Sequence, residues 1–427
     1  MTDRPDTVDG GMPWEPSRRD LLRYLAYGTA GAFTLPLLSA CTSDDATPSA
    51  ASKAAKRRRV LVVVELAGGN DGLSTLVPTG DGHYHDLRPT LALGGDDVID
   101  VIDGVGVNAK LARTLAHGPA FLSGVGSMHP SLSHFEMLDR WWRGRPEALT
   151  PAEQSKLSTG FLGRLCDALH GSESFTGMTL AFGNLPGLRS AKAATTGLPQ
   201  DRRSSLTGAG ELGTAMRAAL IRFAADRSGD VPRPSAALGI EQMLLMDDLI
   251  GDLPAPSTGY PDSEFATRLA IASRLIRSDA GVRVIHVPMG GGLFDTHQDH
   301  GTIHPRLLAE LDGGLHAFLT DLEHHGLDRD VLVATTSEFG RRPEEHDGGL
   351  DHGTASTMML LGPVVNGRHG DPSSLVKLDD TDNLVATVAF DRYYATLAEW
   401  MHVDPAQVLA PAGGGAAPKP IAGVVAT

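Results

Sequence analysis

Six continuous apolar runs punctuate the chain, at residues 60–66, 120–125, 178–182, 282–287, 331–335 and 358–361. Short apolar runs without polar alternation predict strands buried on both faces, as in a mostly parallel sheet. Between them the spacing of apolar positions becomes helical. Helices are expected over 108–117, 133–142, 160–169, 211–225, 241–250, 263–277, 305–324 and 392–401. Strands alternating with helices predict a layered α/β fold, a mostly parallel central sheet flanked by helices. No internal repeat is visible. Residues 187–208 are polar and carry Arg189, Lys192, Arg202 and Arg203. They read as a surface loop or a cover over a site.

The start of the chain follows a different pattern. Ser17-Arg18-Arg19-Asp20-Leu21-Leu22 reads as a twin-arginine export signal, and Leu38-Ser39-Ala40-Cys41 as a lipobox. The run between them is broken by Arg23, Gly28, Thr29 and Gly31. A stable span needs about 20 uninterrupted apolar residues, so this is a targeting segment. Residues 1–40 are therefore expected to be a signal peptide, cut before Cys41, the lipidation site. A diacyl anchor there supplies the two chains that stable membrane attachment needs. Residues 41–57 then form a flexible tether, too polar to order itself, and 58–427 a single α/β domain. The expected location is extracytoplasmic, lipid-anchored to the cell membrane or outer membrane. The expected partners are that membrane and, during export, the twin-arginine translocase. Arg57-Arg58-Arg59 either touch anionic headgroups or simply solvate a strand start.

Composition narrows the functions. Of 427 residues, 41% are hydrophobic and the formal net charge is -15. That balance argues against a nucleic-acid partner and suits a site that holds cations. The two cysteines are Cys41 and Cys166. If Cys41 is acylated, no intrachain disulfide remains, and Cys166, in a helical pattern, reads as a small buried hydrophobe. The 17 histidines exceed what a core needs.

In open α/β sheets, ligands sit at the carboxyl ends of strands, so the residues after each apolar run carry the interest. The first run leads into Ala67-Gly68-Gly69-Asn70-Asp71-Gly72, without dinucleotide-fingerprint spacing; Asp71 either faces the crevice or caps a turn. The 282–287 run leads to Asp295, His297, Asp299, His300 and His304, five potential ligands within ten residues. Carboxylate and imidazole at such spacing can wrap one ion, although His300 and His304, four apart, share a helix face. The 331–335 run leads to Ser337-Glu338-Phe339-Gly340-Arg341-Arg342, suited to a metal or, through its arginines, to an anion. Asp351-His352-Gly353 precedes the last run and presents an imidazole. Ser131, Ser133 and His134 follow the second run, where a hydroxyl either caps a helix or sits beside a metal. The Trp141-Trp142 pair reads as helix packing.

Taken in order, Gly-Gly-Asn-Asp-Gly-Leu, Ser-His-Phe with Trp142, Phe-Asp-Thr-His, Ser-Glu-Phe-Gly-Arg and Asp-His-Gly-Thr resemble the exported bacterial family called domain of unknown function 1501. The resemblance covers roughly residues 58–412. That family in turn resembles the alkaline phosphatase and sulfatase superfamily. The resemblance implies a three-layer alkaline-phosphatase-like fold and a strand-end site for a divalent ion such as Zn, Ca, Mn or Mg. Its implied ligands are Asp71, Asp295, His297, Glu338 and His352, with Asp351 beside them. The nucleophile stays open among Ser133, Ser131, Ser74 and Thr75, with Ser133 the candidate taken forward, and Arg341 or Arg342 would hold an anionic ester. The chain departs from the superfamily in carrying Glu338-Phe339 where alkaline phosphatases have an Asp-His pair, and in lacking the Cys-x-Pro-x-Arg motif of sulfatases. Two functions follow: a metal-dependent hydrolase of phosphate or sulfate esters, or a non-catalytic envelope lipoprotein on a degenerate hydrolase scaffold. An exported redox enzyme has no dinucleotide motif or cysteine cluster behind it.

Overall fold

The computed structural model describes residues 59–426 apart from 148–149, 151–156, 184, 200–209, 227, 229–231 and 410–415. All of these belong to the unit Leu38–Thr427. The expected signal peptide, the Cys41 lipidation site and the tether lie outside the described residues, as do residues 200–208 of the polar loop. Among the described residues no helix is long and apolar enough to cross a membrane.

Twelve strands are described: β1 Val60–Glu65, β2 Leu76–Val77, β3 Val98–Ile102, β4 Val105–Asn108, β5 Ala120–Gly126, β6 Gly177–Thr179, β7 Thr195–Gly197, β8 Val284–Pro288, β9 Val331–Thr336, β10 Ser356–Leu361, β11 Gly367–His369 and β12 Val388–Ala389. The large sheet has the order β11-β5-β10-β9-β1-β8-β6-β7, with β12 paired to β5. A small sheet, β2-β4-β3, stands apart from it. Within the large sheet every pairing is parallel except those of β10, which is antiparallel to both β5 and β9. This single reversal places the start of β10 at the edge where β1, β5, β6, β8 and β9 end.

Alternation along β1 shows why the apolar runs are continuous. Val60, Val62 and Val64 face one core, with Leu269, Leu311 and Phe318 of the helices Glu264–Arg277 and His300–His324. Leu61 and Val63 face the other, with Met137, Trp141, Leu165 and Leu397 of His134–Arg143, Phe161–Leu169 and Phe390–Trp400. A strand covered on both faces has no solvent side to make polar. Trp141 stacks on Phe390 at 4.4 Å, which makes it packing, as expected. Cys166 is buried and free, and burial raises its thiol pKa.

All six expected strands are present, within a few residues of the expected bounds. Two helices differ. The run 108–117 is split into two short turns, Ala109–Leu111 and Ala112–Leu115. The helix expected from 305 begins at His300 and takes Pro305 inside it. An interior proline forfeits one backbone hydrogen bond. The extra turn is held instead by buried His300 and His304, which contact Asp71 and Asn70. The short strands β2, β3, β4, β7, β11 and β12 carry no apolar run long enough to find.

Leu332, fully buried in β9, tests the two-faced core. Leu332→Ala should cost about 2–5 kcal/mol, measured by urea denaturation; a loss below about 1 kcal/mol would contradict a close-packed central strand.

Candidate metal centre

Four loops meet at the carboxyl edge of the sheet. The loop after β8 brings Asp295 and His297, the loop after β9 brings Glu338 and Arg341, and the turn before antiparallel β10 brings Asp351 and His352. The helix that follows β5 begins at His134. Gly68, after β1, has φ +113, and a Cβ there would lie 2.5 Å from the Asp295 backbone nitrogen. The bare backbone is what lets the β1 and β8 loops touch.

Three imidazoles point one nitrogen inward and anchor the other. His134 Nδ1 donates to Glu338 Oε1 at 2.7 Å. His352 Nδ1 donates to the Leu132 carbonyl at 2.7 Å. His297 Nδ1 lies 3.0 Å from Asp351 Oδ1. Each anchor can only accept, so each ring presents Nε2 to the centre. The inner nitrogens converge: His134 and His352 at 3.0 Å, His297 and His352 at 2.9 Å. Asp295 joins them, with Oδ1 3.2 Å from His352 and 3.1 Å from His297, and Oδ2 3.4 Å from His134. A tetrahedral ion with bonds of about 2.0–2.1 Å sets its ligand atoms roughly 3.3 Å apart. His134, Asp295 and His352 lie within 4.8 Å of one another and fit one divalent ion in spacing and in chemistry. His297 stands outside this trio, against His352 and Asp295. Imidazoles anchored through the far nitrogen by a carboxylate or carbonyl are how proteins fix metal-ligating histidines.

The electrostatics favour positive charge at the centre. Burial opposes the charge of Asp295, yet hydrogen bonds from His134 and His352 and the Arg341 guanidinium hold its carboxyl well below the usual range. Burial likewise opposes a charged His134, but hydrogen bonds to Asp295 and Glu338 and their negative charge raise it to about 9.

Asp295, His297 and His352 thus come together as expected, and the other expected site residues take different places. Asp71 is not at the centre. It is buried, caps the helix Gly72–Thr75, and forms a two-pronged pair with buried Arg88 at 2.6 and 3.0 Å. Burial works against its charge, but Arg88 and His300 hold its pKa well down. Glu338 and Asp351 stand behind His134 and His297 rather than at the inner face. Arg341, expected to hold an anion, is buried and donates to the carbonyls of Gly69 and Leu350, each at 2.9 Å, to that of Gly68, and to Asp295 Oδ1 at 2.6 Å. Its role is to fix loops. Ser74 accepts from Arg88, Thr75 donates to the Asp71 carbonyl, and Ser131 donates to Glu136. Ser133 is exposed, makes no capping bond, and lies between Leu132, which holds His352, and the ligand candidate His134.

His134 is the residue that reading the sequence for a hydroxyl passed over. The signal was there: an imidazole at the end of the β5 run, inside the Ser-His-Phe motif. Arg88 carried no signal, since it lies in a polar stretch 17 residues from the carboxylate it neutralises.

Two predictions follow from these assignments. Arg88→Met leaves Asp71 buried and unpaired; it should cost about 3–5 kcal/mol in denaturant melts without changing bound metal per folded chain. Loss of metal in folded Arg88→Met protein would return Asp71 to the ligand set. The second concerns pH. A protonated His134 stabilises the chelator-treated protein below its ordinary value near 6.5, and that contribution is lost as pH rises through about 9. Metal binding needs the same nitrogen free. Stability of chelator-treated protein should therefore fall, and metal affinity rise, between about pH 6.5 and about pH 9; calorimetric melts and metal titrations at a series of pH values check both signs.

Comparison with solved structures finds a sulfatase from a Pseudoalteromonas species, 10% identical, TM-score 0.37, covering 83% of this chain and 69% of that one. It also finds the phosphonate monoester hydrolase of Agrobacterium radiobacter, 10% identical, TM-score 0.36, covering 81% and 74%. A third is an alkaline phosphatase superfamily protein from Vibrio parahaemolyticus, 9% identical, TM-score 0.35, covering 82% and 67%. No curated protein matches the chain. The model of the family described as "Protein of unknown function (DUF1501)" matches residues 114–419, which span His134, Asp295, His297, Glu338, Arg341 and His352, and the chain belongs to that family.

Proposed function

We propose that this protein is a metal-dependent hydrolase of phosphate or sulfate esters, exported and lipid-anchored at Cys41 in the cell envelope. The observation that carries the reading is the convergence of three anchored imidazoles on Asp295, at the carboxyl edge of the sheet. A divalent ion bound there supplies Lewis acidity toward an ester oxygen and toward an attacking hydroxyl or water. The chain's own residues do the rest. Glu338, Leu132 and Asp351 hold the imidazoles in orientation. Arg341 holds Asp295 in its charged form and keeps four loops in register. Ser133, exposed and next to His134 in the chain, is the hydroxyl proposed for attack, with water as the alternative. Zn suits the nitrogen-rich donor set better than Ca, Mg or Mn.

A second reading is supported by Arg341. Its commitment to carbonyls and Asp295 removes it as an anion clamp. A metal-holding envelope lipoprotein that binds a ligand without turnover uses the same residues.

Metal content of protein matured through its own export route tests the site, and an ester panel tests turnover. His134→Ala should lose the ion and any hydrolysis while staying folded by circular dichroism. Glu338→Gln should weaken metal affinity by about 10–100-fold. Full metal content in both variants would remove the centre. Full metal with no hydrolysis across phosphate and sulfate esters in the parent protein would favour the binding reading. Acylated Cys41 in mass spectra of membrane fractions supports the anchor, and an intact residue 1–40 segment on the mature protein refutes it.

A further inference from the structure

The edge of the sheet that carries the metal centre is also where large apolar side chains stand in solvent. Phe135 follows His134 and is 74% exposed. Leu132, whose carbonyl holds His352, is exposed, as is Met128 on the same loop. Leu293 is exposed two residues before Asp295. Phe182 lies three residues beyond the end of β6 and is 89% exposed. The topology puts these along one edge of the sheet, with four strands between β5 and β6. β5, β6 and β8 all end at one edge, because β6 and β8 pair in parallel while β5 and β9 share antiparallel β10. Four of the five thus come from loops at the same edge, and Phe135 from the first turn of the helix His134–Arg143 there. A folded chain leaves single apolar residues exposed at random, but a group at one functional edge marks a contact. Cations do not balance this group: Arg341 and Arg88 are both buried and committed.

Resting on the metal-dependent reading above, we infer that the substrate is amphiphilic, with its anionic ester group at the metal centre and an alkyl or aryl group laid across Phe135, Leu132 and Leu293. With Arg341 buried and committed, the ion takes the charged group, and apolar contact adds to recognition. Burying each methylene of an alkyl chain is favourable, so affinity should grow with chain length.

The test uses the full chain, loaded with Zn and checked for bound ion by mass spectrometry. It is titrated with methyl phosphate and with octyl phosphate in a calorimeter. Octyl phosphate should bind at least about tenfold more tightly. In Phe135→Ser combined with Leu293→Ser the ratio should fall below about threefold. Equal affinity for both phosphates on metal-loaded protein overturns the apolar subsite, leaves the metal centre standing and gives the edge to another occupant, such as a protein partner. No binding of either phosphate to metal-loaded protein overturns the substrate class. Failure to take up an ion overturns the metal reading itself, and this inference with it. A tenfold preference that survives both substitutions shows the contact to be elsewhere and refutes the assignment.

Discussion

One buried guanidinium holds the site together. Arg341, from the loop after β9, reaches the Gly68 and Gly69 carbonyls after β1, the Leu350 carbonyl before β10, and the Asp295 carboxylate after β8. Arginine's planar fork lets one side chain bind several acceptors in fixed directions. Carbonyls in loops at a buried strand edge need donors, because burial without them is costly. Arg341 supplies those donors, and its charge is met by Asp295. The position of Asp295 is therefore tied to the register of four loops, and the geometry of the three imidazoles follows from it.

Two ionic groups sit side by side and serve different ends. Behind the centre, Asp71 and Arg88 neutralise each other in the interior, with His300 against Asp71 at 3.3 Å. Burial, followed by the nearby charge of His300, depresses the pKa of the neighbouring His304 to about 3, so it stays neutral. His300 Nδ1 in turn meets the Thr296 hydroxyl at 2.7 Å, between Asp295 and His297. The buried group is thus a support under the loop that carries two ligand candidates. In front, the carboxylates of Asp295, Glu338 and Asp351 outnumber the fixed cations and leave the centre in need of positive charge. Separating a closed ion pair from an open, charge-deficient cluster lets one short stretch of sequence build both rigidity and a binding site.

The same edge joins polar and apolar chemistry. A dense set of nitrogen and oxygen donors is rimmed by exposed phenylalanine and leucine on the loops that supply the ligands. That combination fits an anionic group held by an ion and a hydrocarbon part held by the rim. It also accounts for the absence of a free arginine among the residues that form the centre.

The sequence by itself determined the layered α/β class, because strands buried on both faces leave uninterrupted apolar runs that alternate with helical spacing along the chain. It also picked out Asp295, His297 and His352, which the structure brings together, because strand-end loops dense in imidazole and carboxylate rarely serve a core. It could not sort inner ligands from their supports. Glu338, Asp351 and Asp71 are chemically as fit to bind an ion as Asp295. Which carboxylate faces the centre depends on partners far along the chain: His134 for Glu338, 204 residues away, His297 for Asp351, and Arg88 for Asp71. Only the tertiary structure decided this. Its one antiparallel strand turns the His352 loop to the edge where the other strands end, and the Glu338 contact turns His134 from a neighbour of a serine into a candidate ligand.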